Sequence, residues 1–149
     1  MLNDIVIKRL HAGDVIALQD VADDVFDNPV RQDLAREFLQ NDRNILVVAL
    51  DQGKIVGMAS GHFYIHPDKD EELWVNELGV SPAYQRKGIA TAILGELTEI
   101  ADRRKCKSCW LLTEPDNMAA NALYRSLPGW QGPEKTFMYS IQLHDSDTQ

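Results

Sequence analysis

At 149 residues the chain is long enough for one domain with a real core, and 44% hydrophobic residues with three tryptophans point to a globular protein. A net charge of −8 argues against nucleic acid as a partner, since a basic face would be needed, and favours a cationic small molecule. No apolar run approaches the ~18 residues that span a bilayer, and Met1-Leu2-Asn3-Asp4 lacks a signal-peptide layout, so no membrane contact and a cytoplasmic location are expected.

Residues 5–10 are β-rich and predict a first strand. Asp14 can cap a following helix, in which Val15, Leu18, Val21, Ala22 and Val25 recur at three- and four-residue spacing. Asn28-Pro29 interrupts it, and a second helix over 31–39 is expected to bury Leu34, Phe38 and Leu39. Residues 44–50 and 54–64 read as strands joined by the turn Asp51-Gln52-Gly53. A polar hairpin loop, 66–72, leads into the apolar run 73–80, expected to be a buried strand. A long helix follows from Gly88 to about Arg104, with Ile89, Ile93, Leu97 and Ile100 on one face and a basic C-terminal end that suits its dipole. Residues 108–113 predict a strand, Asp116 or Asn117 a cap for a helix through Leu127, 135–143 a last strand and 144–149 a frayed tail. With no repeat and no linker, the pattern predicts a single α/β (α+β) domain over 1–149, with a right-handed parallel crossover from Leu73 through Thr113.

Cys106-Lys107-Ser108-Cys109 matches C-x-x-C, but it falls between a helix end and a strand start instead of at a helix N-terminus. His11, His62, His66 and His144 are scattered, so the pair reads as two unpaired thiols and no metal is expected.

The chain is organised around the loop that joins the 73–80 strand to the long helix. It carries Arg86 and Lys87, and Gly88 stands where the first helical turn forms. The first N–H groups of a helix lack intrahelical acceptors and carry the positive end of its dipole, so strand, basic loop, glycine and helix together make a phosphate receptor. Neither GxxxxGK(S/T) nor GxGxxG is present. What stands here is Gln85-x-x-Gly88-x-Ala90, preceded by Glu77-Leu78-Gly79-Val80-Ser81-Pro82. Further on comes Asn117-x-x-Ala120-x-x-Leu123-Tyr124, with Pro128 inserted before Gly129 and then Trp130.

These three motifs, in this order, resemble those of the GNAT superfamily of acyl-CoA-dependent N-acetyltransferases. The resemblance covers nearly the whole chain. It implies a seven-stranded, V-shaped mixed sheet flanked by about four helices, in which the 73–80 and 108–113 strands splay apart around the pantetheine arm of acetyl-CoA. Main-chain groups of Leu78, Gly79 and Val80 would hold the pantetheine, Gln85, Arg86, Lys87, Gly88, Ile89, Ala90 and Thr91 would surround the pyrophosphate, and Asn117 would support the arm. A homodimer is compatible with the family.

Acetylation needs a neutral amine, whereas an aliphatic amine is mostly protonated near neutral pH. Glu77 is an acid within an apolar strand; buried against the core it would cost several kcal/mol, so it is expected to face a cleft. The family resemblance places it to receive the amine proton, directly or through water. Departure of CoA as a thiolate calls for a proton donor, and Tyr124 matches the family tyrosine in that role. Asp20, Asp23, Asp24 and Asp27 lie in the region that overhangs the acceptor in that fold, which makes Asp23, Asp24 and Asp27 candidates for binding a cationic substrate, together with Glu77. The segments 22–26, 63–74 and 88–92 are similar to aminoglycoside acetyltransferases acting on the 3-amino group of deoxystreptamine, which carry aspartate where this chain has Glu77. A polyamine, a peptide amine and a non-catalytic acyl-CoA sensor are the alternative readings.

Overall fold

The computed structural model describes Leu2 and residues 4–145, in two compact units: Met1–Glu114 and the chain from Pro115 onward. The first unit is built on a five-stranded sheet in sequential order: β1 (Ile5–Arg9), β2 (Asn44–Asp51), β3 (Lys54–His66), β4 (Lys69–Val80) and β5 (Cys109–Leu111). β1 to β4 are antiparallel and β5 joins β4 in parallel. The crossover helix between them is α2 (Ile89–Arg103), and α1 (Gln32–Gln40) precedes β2. Among the described residues no helix is long and apolar enough to cross a membrane.

Alternation along β3 sorts the two faces. Met58 packs with Leu10, Leu18, Val25, Leu39, Leu46 and Val48 into a core beneath the N-terminal segment and α1. On the other face, a side chain on Gly57 would meet Ile89 and Ile93 of α2 at 3.1 and 3.2 Å, so glycine permits that helix to sit close. Ile89, Ile93, Leu94 and Leu97 are essentially sealed from solvent, and truncating one such residue to alanine typically costs ~2–5 kcal/mol.

The first helix differs from its sequence pattern. A 3₁₀ helix runs over Ala12–Gln19, and the chain then straightens. The reason is tertiary. Ile55 donates its N–H to the Asp20 carbonyl (2.9 Å), Ala22 donates to the Ile55 carbonyl (2.8 Å), and Val21 bridges Ile55 in parallel. Pairing with β3 claims the groups that a longer helix would use. Leu34 on α1 is half exposed, not buried. The expected 66–72 loop is mostly strand, because β3 and β4 stay paired to His66 opposite Lys69.

In the second unit α3 spans Met118–Ser126, capped by the Asn117 side chain, which accepts from the Ala120 N–H (3.1 Å). The last predicted strand is absent among the described residues: 135–143 forms no regular element, and Phe137, Tyr139 and Ile141 are each over 80% exposed. Its alternating sequence is competent for a strand, yet a strand's N–H and C=O groups need a neighbouring ladder, and none pairs with them. The sheet therefore has five strands where seven were expected.

Candidate active site

The site is built where β4 loses its neighbour. β5 pairs with β4 at only three positions, Leu73 with Cys109, Trp74 with Trp110 and Val75 with Leu111. Just beyond, the β3–β4 register shifts: Ser60 faces Glu77 while Gly61 faces Val75, leaving Asn76 as an extra residue. Such a bulge bends its strand and re-aims the side chains beside it. From Asn76 to Val80 the β4 edge away from β3 has no strand partner among the described residues. The pairing of β4 with β5 thus ends before the main chain of Leu78 and its neighbours, which lies on the open stretch.

Beyond β4, Pro82–Tyr84 forms a single 3₁₀ turn. The Gln85 amide donates to the Val80 carbonyl (3.0 Å), so Gln85 braces the loop onto the strand end. Tyr84 donates to Asp51 (2.5 Å), tying the loop to the β2–β3 turn, and Lys87 lies 5.5 Å from the centre of the Tyr84 ring. Arg86 (φ 61°) and Gly88 (φ 83°) both adopt the left-handed conformation, which is costly for arginine and free for glycine. Gly88 is the N-cap of α2 and no side chain caps that end. A Cβ on Gly88 would have only Leu2 near it, at 4.0 Å, so an anion can approach the N–H groups of Ile89, Ala90 and Thr91 at the positive end of the helix. These features fit a diphosphate ester.

Glu77, paired across from Ser60, lies on the sheet face that carries Met58. It is open to solvent, while enclosure by protein atoms, and secondarily the charge of Asp27, raises its carboxyl above the usual range. A raised pKa makes a carboxylate a stronger proton acceptor. Asp27 belongs to the acidic loop, whose backbone is pressed on β4: a Cβ on Gly79 would lie 2.1 Å from the Val25 carbonyl oxygen. Asp23, Asp24 and Asp27 are exposed on that loop, and Asp24 adopts φ 61°. Asp20 is turned toward Lys54 (3.9 Å) and stands apart.

Of the acids at the β3–β4 hairpin, all but the exposed Asp70 are engaged in structure. Asp68 pairs with Lys69, Glu71 with Arg104 (2.5 Å) and Arg43 (3.4 Å), and Glu72 accepts from Ser108 (2.6 Å). Sequence reasoning missed a row of aromatic rings beside Glu77. His62 and Trp74 are cross-strand partners on its face, Trp74 stacks on Trp110 (5.8 Å, 17°), and Trp110 donates to the Tyr64 hydroxyl (2.6 Å). The signal was the alternation of His62 with Tyr64, in register with Trp74. Cys106 is raised to about 11, by burial first, and Cys109 is raised by burial alone; both are free thiols with little thiolate to offer.

In the second unit Asn117 serves as the cap of α3 and also accepts at its carbonyl from the Asn121 amide (2.8 Å). Tyr124 stacks on Trp130 (6.4 Å between ring centres), and burial raises its phenol above the ordinary value.

The sequence profile of the Acetyltransferase (GNAT) family matches residues 15–128, and the chain belongs to that family. Acetyltransferase ECA0875 of Pectobacterium atrosepticum is 30% identical over 100 residues, 67% of each chain. L-2,4-diaminobutyric acid acetyltransferase of Vibrio parahaemolyticus is 33% identical over 81 residues, 54% of this chain; the match spans only 44% of that protein. Among solved structures, the aminoglycoside acetyltransferase meta-AAC0020 from an uncultured soil metagenomic sample, in complex with sisomicin, has a TM-score of 0.82 at 17% identity, covering 94% of this chain and 97% of that one. Aminoglycoside N-acetyltransferase AAC(6')-Iy in complex with CoA has a TM-score of 0.72 at 16% identity, covering 93% and 95%. At these identities the likeness is one of fold.

Proposed function

We propose that the chain is an acetyl-CoA-dependent N-acetyltransferase that acts by direct transfer on a polycationic amine, with an aminoglycoside as the favoured acceptor and its 3-amino group as the favoured position. The observation that carries this reading is the pairing of a phosphate-receptive loop with Glu77, a carboxylate of raised pKa, at the two ends of one open strand stretch. When bound, acetyl-CoA supplies the thioester carbonyl that the amine nitrogen attacks.

The chain's own groups do the rest. Arg86, Lys87, Gly88 and the N–H groups of Ile89, Ala90 and Thr91 hold the pyrophosphate, with Gln85 keeping their loop on β4. Unpaired main-chain groups of Leu78 and its neighbours on β4 extend the ladder to the pantetheine amides, as a peptide adds to a sheet edge. Glu77 removes the proton from the attacking ammonium, which frees its lone pair. Asp23, Asp24 and Asp27 hold the substrate's remaining positive charges. Tyr124, assigned through the motif it shares with the family, returns a proton to the departing thiolate sulfur, and its raised pKa keeps that proton in place until then.

A second reading takes another amine as acceptor, a polyamine, a peptide amine or a diamino acid, and the last rests on the relative named for L-2,4-diaminobutyric acid. Measuring free thiol released from acetyl-CoA, with sisomicin, a polyamine, 2,4-diaminobutyrate and short peptides offered in parallel, separates the two. Turnover confined to the last three removes the aminoglycoside assignment; no thiol release with any of them removes the enzyme assignment. Mass and NMR analysis of the acetylated product fixes which amino group reacts.

A further inference from the structure

The far end of α2 borders a cavity unrelated to the loop at its start. It has a volume of about 600 Å³ and is lined by four cations, Lys8, Arg9, Arg103 and Arg104, with His11 and the single carboxylate Glu96. Its α2 lining, Glu96 to Arg104, begins eight residues after Gly88, about 12 Å along the helix axis.

Arg9 is the unusual member. Along β1 the half-buried row is Ile5, Ile7 and Arg9, and Arg9 is the register partner of Val47, which is sealed from solvent. Val47 pairs with Ala59, two residues from Gly57, the glycine that lies against α2. Arg9 therefore stands on the α2 side of the sheet, where alternation calls for an apolar residue. Its fellow cations have partners: Lys8 with Asp14 (3.4 Å), Arg103 with Glu99 (3.0 Å), Arg104 with Glu71 (2.5 Å). Among the described residues the Arg9 side chain has neither a hydrogen bond nor an ion pair, and Asp42 offsets its charge only at longer range. Burial, and then repulsion from Arg104, work against its charge. A guanidinium does not lose its proton under ordinary conditions, and water reaches Arg9 only in part, so a bound anion would compensate its charge more directly.

We propose that this cavity is a second anion site, built for a polyphosphate group, with the Arg9 fork as its central ligand and Lys8, Arg103 and Arg104 around it. The cavity has the size of ordinary small-molecule sites, and guanidinium forks match phosphate oxygens in pairs. Glu96, the negative end of the α2 dipole and the carboxylates Asp14, Glu99 and Glu71 that pair with three of the cations oppose an anion here, so binding rests chiefly on Arg9 and weakens as salt rises.

The proposal stands apart from the acetyltransferase reading, and its test excludes the loop. Inorganic tripolyphosphate is titrated by calorimetry into the Gly88→Asp variant, whose loop is closed to phosphate, and into wild type saturated with CoA. Saturable one-to-one binding is expected in both, weakened at least 10-fold by adding Arg9→Gln. No saturable binding, or a loss under threefold with Arg9→Gln, overturns the proposal. Thermal denaturation guards against a folding artefact: Arg9→Gln alone should melt no lower than wild type. Tripolyphosphate should raise the midpoint of the Gly88→Asp variant and leave that of the Gly88→Asp, Arg9→Gln double variant where it was.

Discussion

The Val25 carbonyl oxygen occupies the space that a side chain at residue 79 would fill, 2.1 Å from the Cβ position of Gly79. One residue type thus decides how closely the loop of Asp23, Asp24 and Asp27 sits on the strand of Glu77. Gly79→Ala forces backbone against backbone, which has no flexible side chain to give way. We expect a loss of about 1–3 kcal/mol of stability from overpacking. A larger effect is expected on acceptor KM than on acetyl-CoA affinity, because the displaced element carries the acids. Chemical denaturation together with steady-state kinetics checks both, and an unchanged stability would mean that the loop yields freely.

In the role proposed for it, Glu77 would couple catalysis to pH with a defined sign. Its carboxyl is raised by enclosure and then by Asp27, so the folded state holds its proton more tightly than the unfolded chain does. Its contribution to stability is therefore present at low pH and is withdrawn as pH rises through the folded value. Glu77→Gln should melt no lower than wild type at pH 7, yet lose about 100-fold in kcat there, the usual scale of acid–base help. The loss should shrink at high pH, where the amine is already neutral. Asp27→Asn removes one cause of the shift and should carry the rising limb of the pH–rate profile to lower pH. A loss uniform across pH for Glu77→Gln would make Glu77 a positioning residue.

The α2 start offers a cleaner cofactor test. Gly88 has open space around it but a φ of 83°, so any side chain is strained there by ~1–2 kcal/mol while little is struck. Gly88→Asp places a carboxylate at the proposed pyrophosphate position. It should weaken CoA binding by at least 10-fold by calorimetry, with the sheet and its circular dichroism retained. Full affinity in a folded variant would take this loop out of the mechanism.

Much of this was legible in the sequence because it is local. The Gln85-to-Ala90 loop, the strand before it and the helix after it are contiguous, and their boundaries lie within a few residues of expectation. What escaped is non-local. Val21 and Ala22 have helical spacing, but Ile55 recruits that backbone to the sheet. Gly79 gives no hint in sequence that Val25 presses on it. Trp74 and Trp110 are 36 residues apart and meet only through parallel register. Phe137, Tyr139 and Ile141 have the period of a strand, yet period alone supplies no partner edge.

The acceptor prediction follows from which acids remain available. Of the carboxylates on the acidic loop and the β3–β4 hairpin, Asp20 leans on Lys54, Asp68 on Lys69, Glu71 on Arg104 and Glu72 on Ser108. Like Asp70 at the hairpin, Asp23, Asp24 and Asp27, which share one loop, are exposed and enter no ion pair among the described residues. A polycationic substrate proposed for this site would lean on these three. Each exposed pair contributes only ~0–1 kcal/mol, so neutralising Asp23 and Asp24 together should raise acceptor KM by about 3- to 30-fold. Because these contacts exist in the ground state as well as later, kcat should fall much less. Added salt should raise the wild-type KM and affect the double variant less, since fewer charges remain to be screened. A diamine bearing one spare charge should lose less than sisomicin does. If the double variant and wild type share one KM for sisomicin and one salt dependence, the acidic loop plays no part in holding the acceptor, and Glu77 with the aromatic row of His62, Trp74 and Trp110 becomes the place to look for it.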